Sequence, residues 1–149
     1  SMSFRHLLVA TDGTQLSAKA VQQAVELAKA LGARLTVFHA QASLPISLVG
    51  VGELVEPSTV EGLLEAARSQ ARQVLEEAAA QAASAGVQVD TACEENPVPH
   101  QAIVAASQRL GCDLVVMASH GRRGLSGVLL GSETQRVLSH CSVPVLVVR

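Results

Sequence analysis

Five short runs of apolar and β-branched residues recur along the chain, and the segments between them carry helical spacing or turn signals. That alternation limits the fold more than any other feature. Residues 5–10 (Arg-His-Leu-Leu-Val-Ala), 34–40 (Arg-Leu-Thr-Val-Phe-His-Ala), 87–93 (Val-Gln-Val-Asp-Thr-Ala-Cys), 113–117 (Asp-Leu-Val-Val-Met) and 144–148 (Pro-Val-Leu-Val-Val) read as strands. From Ser17 onward, Val21, Ala24, Val25, Ala28 and Leu31 repeat at helical spacing until Gly32 supplies a stop. A longer helix is marked by Leu64, Ala67, Ala71, Val74, Leu75, Ala78 and Ala82, with Ser58 and Glu61 spaced as a capping box at its start. Its other face, with Arg68, Arg72, Glu76 and Glu77, is expected in water. After the break at 96–99 a short helix turns Ile103, Ala106 and Leu110 inward and ends at Gly111, and a fourth helix runs from Ser132 through Leu138.

Strands that alternate with helices call for right-handed parallel crossovers. The chain therefore predicts one doubly wound α/β domain over residues 2–149, a five-stranded parallel sheet in the order 3-2-1-4-5 with four helices on its two faces. The third strand has the more polar face and is expected at an edge. Phe4 and Phe38 are the two aromatic residues, so the core has to be built from Val, Leu, Ile and Ala. Ser1, ahead of Met2, is read as an expression remnant and set aside.

Composition removes several function classes. Eleven Lys and Arg against thirteen Asp and Glu, a formal charge of −2, leave no basic face for nucleic acid, and only Arg122 and Arg123 concentrate positive charge. No run has the length of a membrane span and the N-terminus has no apolar signal region, so a cytoplasmic protein is expected. Cys93, Cys112 and Cys141 form no C-x-x-C pair and are expected as small buried thiols in a reducing compartment. His6, His39, His100 and His140 share no spacing with carboxylates or cysteines that would make a metal site.

Chemistry concentrates after the fourth strand. The stretch from Met117 to Ser132 is punctuated by Gly121, Gly124, Gly127 and Gly131, and Ser132 with Gln135 has the spacing of a capping box that opens a helix. Such a glycine spacing is common by itself. Its position between a buried strand and a helix N-terminus is what gives it weight, because free backbone N–H groups and the positive end of a helix dipole then converge on an anion. In doubly wound sheets ligands bind beyond the carboxyl ends of the strands where strand order reverses. The loops after the first and fourth strands would be neighbours there, which brings Asp12 towards the glycine loop.

These residues resemble the universal stress protein family, and within it the ATP-binding branch. The resemblance covers nearly the whole chain. It rests on Leu-Val-Ala-Thr-Asp-Gly-Thr (8–14), Val-Phe-His-Ala (37–40), the block 113–132 and Val-Pro-Val-Leu-Val-Val (143–148). The family motif Gly-x2-Gly-x9-Gly-Ser/Thr reads here as Ala118-Ser119-His120-Gly121, nine residues, then Gly131-Ser132. Ala118 departs from the motif's first glycine, and the extra methyl matters if that residue needs positive φ or if a ligand lies against its α-carbon.

The resemblance implies that Asp12 lies at the nucleoside end, next to Ala10, with backbone atoms of Ala40 at the adenine edge and Met117 and Ala118 lining the pocket. It implies that Gly121, Gly131, Ser132 and Glu133 present N–H groups to phosphates, with hydroxyls of Ser132 and Thr134 adding bonds. Asp12 and Ser132 are equally suited to capping the helices that follow them. A negative Asp12 would repel a phosphate unless Mg²⁺ intervenes. The Glu133 side chain is expected to point away from the anion. His120 is a site candidate that could approach a phosphate, although a lone loop histidine is more often solvated.

Neither a P-loop lysine nor a catalytic base is evident, so the expected protein is a cytoplasmic, regulatory homodimer that binds ATP, with or without Mg²⁺, and turns it over slowly or not at all. Its dimer seam is expected along the last strand, Pro144 to Val148, and its protein partner is not legible. The competing reading is a structural or interaction protein of the same fold with a vestigial nucleotide site, favoured by Ala118. Autophosphorylation on Ser119 or Ser132 is a third. The apolar segment 41–57 suits a lid, a site wall, a subunit contact or a loop folded back on its own domain.

Overall fold

A computed structural model of the chain describes residues 3–41, 57–121 and 130–149. Its elements follow in the order β1 (His6–Ala10), α1 (Gln15–Leu31), β2 (Arg34–Gln41), α2 (Pro57–Ser84), β3 (Val89–Glu95), α3 (Pro99–Arg109), β4 (Leu114–Ala118), α4 (Ser132–His140) and β5 (Val145–Val148). All five strands pair in parallel, in the order β3-β2-β1-β4-β5. This is the expected doubly wound α/β sheet.

Alternation along each strand divides the core into two layers. Leu7, Val9, Leu35, Val37, Leu114 and Val116 face α1 and α2, where Ala20, Val21, Ala24, Leu75, Ala78 and Ala82 cover them. Leu8, Phe38, Val115 and Met117 face α3 and α4, under Ala102, Ile103, Ala106 and Val137. Small alanines on the helices let the backbone lie close to strands of Leu and Val, so little aromatic volume is needed. At the entry end of the strands, Asp113 accepts the N–H groups of Arg5 (2.9 Å) and His6 (3.0 Å), which holds β1 and β4 in register.

Local chemistry moved several boundaries. β3 lies two residues beyond the expected 87–93, while β4 and β5 each begin one residue later than read. The long helix starts at Pro57, so Ser58 is already inside it and does not cap it; proline at the first helical position lacks the N–H that would be orphaned there. The fourth helix is capped by Gly131 and continues to His140. Its expected capping box is not formed, because Ser132 is the first helical residue and the Gln135 amide side chain reaches Leu130 O instead (3.1 Å). Cys112 is buried as expected, but Cys141 is half-buried and Cys93 is exposed on the β3 edge. Burial pushes the Cys112 thiol up to about 11, so it stays protonated. Leu110 is half-buried against the α3–α4 layer rather than fully inside it.

Candidate functional site

β1 and β4 are neighbours, yet β1 leads into α1 on one face of the sheet and β4 leads towards α4 on the other. The chain therefore opens a crevice between their carboxyl ends. On the β1 side, Thr11 N–H donates to Phe38 O (2.9 Å), which extends the ladder by one residue before the turn. Gly13 completes that turn at φ 83°, a left-handed conformation that glycine enters without cost. Asp12 Oδ1 accepts from both the N–H (3.0 Å) and the hydroxyl (2.6 Å) of Thr14. Thr14 is the N-cap of α1 and accepts from Ser17 N–H. Asp12 is thus the buttress of the cap and not the cap itself. His39 Nδ1 lies 2.8 Å from Thr11 O; a carbonyl only accepts, so this ring nitrogen carries the proton.

On the β4 side the backbone folds tightly. Ser119 N–H donates to Val148 O (2.8 Å), and Gly131 N–H returns to Ser119 O (2.7 Å), bringing the start of α4 back onto the end of β4. The Thr134 hydroxyl is buried and donates to Ala118 O at 2.9 Å, with Ser119 O at 3.2 Å. That hydroxyl is spent on the backbone and is not offered to a phosphate, contrary to the expectation for it. A β-carbon on Gly131 would lie 3.4 Å from both His120 Cα and Ser119 O, and one on Gly121 would lie 3.3 Å from Asp12 Oδ2. The β1 and β4 loops therefore approach within contact distance, as the strand order required.

Each candidate residue has a definite place. Ala10 ends β1 and Ala40 lies near the end of β2, both half-buried against the α3–α4 layer, where Met117 is buried. Ala118 is buried against the α1–α2 layer. No non-glycine residue among those described has positive φ, so the alanine that replaces the motif's first glycine carries no backbone strain. His120 is half-buried beside Ser119 Oγ (3.0 Å). Gly121 and Ser132 are exposed, and Gly131 is partly so. The Glu133 carboxylate is held by His100 and Arg136. Arg122, Arg123, Gly124 and Gly127 lie outside the described residues, as does the segment 42–56.

Gly131 supplies no side-chain cap bond to α4, and among the described residues no side-chain oxygen caps the first-turn N–H groups of Ser132 and Glu133. Sequence reasoning missed Thr14, His39 and His100. Thr14 and Ser17 do have N-cap spacing, but the contact from His100 to Glu133 spans 33 positions and leaves no local signal.

The chain is a doubly wound α/β protein whose fourth helix begins at a glycine beside the switch point, where ligands bind in folds of this class. The universal stress protein family profile matches residues 3–149, and the chain belongs to that family. It is 33% identical to Universal stress protein YxiE of Bacillus subtilis, over 98% of this chain and 99% of that protein. UspA from Lactobacillus plantarum shares the fold with a TM-score of 0.83, at 21% identity and with complete coverage of both chains. A universal stress protein solved in complex with cAMP superimposes with a TM-score of 0.70 and 25% identity, covering 99% of this chain and 98% of that one.

Proposed function

We propose that this protein binds ATP, with or without Mg²⁺, in the crevice between β1 and β4, and that occupancy of the site regulates what a partner meets. The observation that carries this reading is the glycine-capped start of α4, drawn back onto the end of β4 by the Gly131 N–H on Ser119 O (2.7 Å). N–H groups of Gly121, Ser132 and Glu133 would hold phosphates there, and the helix dipole adds to them. Asp12, Ala10 and Ala40 would meet the nucleoside, with Met117 and Ala118 behind it. A Mg²⁺ ion would take its ligands chiefly from phosphates and water, with Asp12 as the adjoining carboxylate. The adenine nucleotide in the related cAMP complex supports the ligand class. The sequence carries no P-loop lysine, and the proposed role is regulatory with little turnover.

ATP at a hundred times its Kd should stabilise the fold by about 2.7 kcal/mol and raise the melting temperature accordingly. A melting curve unmoved by millimolar ATP would count against the reading.

The proposed homodimer has its seam at β5, an edge strand whose Leu146 is 41% exposed. Two such edges could pair across a two-fold axis. Leu146→Glu should then convert a dimer into a monomer in sedimentation equilibrium. A wild-type monomer at the same concentration would exclude this seam.

A further inference from the structure

The start of α4 carries an acidic residue at the place where an anion has to bind. Glu133 is the second residue of the helix, and a free carboxylate there would sit beside the N–H groups of Ser132 and Glu133 itself. It would compete with a phosphate for the same positive helix end. The side chain does not remain at its own helix. Its Oε2 accepts from His100 N–H (2.8 Å) and from His100 Nδ1 (2.9 Å), and its Oε1 accepts from Arg136 Nη1 (2.8 Å). Because a carboxylate only accepts, His100 Nδ1 must carry the proton. Val98, the N-cap of α3, supplies no side-chain cap bond, so Glu133 fills that role for α3 from a neighbouring helix.

We propose that His100 and Arg136 are positioning residues that hold the Glu133 carboxylate across the seam between α3 and α4, and thereby keep the start of α4 electropositive for a nucleotide phosphate. The inference rests on the nucleotide reading of that site. Three hydrogen bonds converge on one carboxylate from two helices, so its direction is set by both. Burial alone would raise the Glu133 carboxyl, but the bonds from His100 and Arg136 outweigh it and hold the group below its ordinary range, ionised and oriented. His140 stacks beside His100, with ring centroids 5.7 Å apart and its own Nδ1 near Arg136 O (2.7 Å), which limits the positions open to the His100 ring.

The inference assigns His100 an effect on a ligand it does not touch, and that effect must run through the charge on Glu133. His100→Ala removes the imidazole bond and leaves the carboxylate on the residue-100 N–H and Arg136, so its position is less restricted and ATP should bind about fivefold more weakly, the order expected for a charge at a helix terminus. In a Glu133→Gln background no negative charge remains to shift, so adding His100→Ala should change affinity by less than about twofold. Titration of ATP into wild type, His100→Ala, Glu133→Gln and the double variant completes the cycle, with circular dichroism confirming that each is folded. The penalty of His100→Ala in the wild-type background should also grow as salt is lowered.

Equal ATP affinity in wild type and His100→Ala would overturn the inference and leave the nucleotide reading standing. An equal loss in both backgrounds would also overturn it, since it would show that His100 merely supports α3. Were wild type to bind neither ATP nor inorganic phosphate, both would fall. If phosphate alone binds, the same cycle read with phosphate decides the role of His100 after the nucleotide reading has failed.

Discussion

Gly131→Val should abolish measurable ATP binding, a loss of at least about a hundredfold or 2.7 kcal/mol, while the protein remains folded. Gly131 has φ −66° and ψ 158°, a backbone that any L-residue can adopt, so the substitution does not force the chain out of its path. The obstacle is spatial. A β-carbon there already lies 3.4 Å from His120 Cα and Ser119 O and 3.8 Å from Gly121 N. Two further methyl groups would have to occupy the concavity above the Ser119–Gly121 turn, where phosphates are proposed to sit. Gly131→Ala adds only the β-carbon at ordinary contact distance and should cost a few-fold. The cost in stability should be near 1 kcal/mol, that of losing a favourable N-cap residue. If the valine variant binds ATP as well as wild type, the proposed cradle is in the wrong place.

Phe38→Ala should be the most destabilising substitution in the sheet, by about 3–5 kcal/mol. Phe38 is fully buried at the centre of β2, and its surroundings on the α3 side include Ala102 and Ala106. Alanines have no longer side chain to swing into the space a lost ring would leave, so the cavity would persist. The same residue positions the site, because its carbonyl accepts the Thr11 N–H that leads β1 into Asp12. Against a typical total stability of 5–15 kcal/mol the change is severe. Urea unfolding should show a lower midpoint with an unchanged slope. A loss below 1 kcal/mol would mean that the α3–α4 layer collapses onto the vacancy.

How much of this was legible beforehand follows from the range of the interactions involved. The strands and the helices that cover them could be read because apolar residues repeat locally with the periods of a strand and a helix, and the order 3-2-1-4-5 was expected from the doubly wound fold class they imply. The approach of Asp12 to Gly121 then followed from topology. Helix starts were harder. Ser132 with Gln135 looks like a capping box, but Gly131 N–H is drawn back to Ser119 O, and that contact moves the cap one residue earlier. Thr134 has the look of a phosphate ligand until its hydroxyl is seen to be buried on Ala118 O. His100 shows the limit most clearly: its value comes from Glu133, on another helix, and no local pattern links the two.

The central claim is that the start of α4 is a nucleotide site in use and not a relic of the family's fold. Ala118 was the reason to doubt it, and its ordinary backbone conformation removes one half of that doubt. The other half concerns the ligand itself. Calorimetric titration of ATP into the unmodified protein, with and without Mg²⁺, tests the claim most directly. The account predicts saturable binding, approaching one nucleotide per chain, that disappears in Gly131→Val. No heat of binding at millimolar ATP under either condition would contradict it.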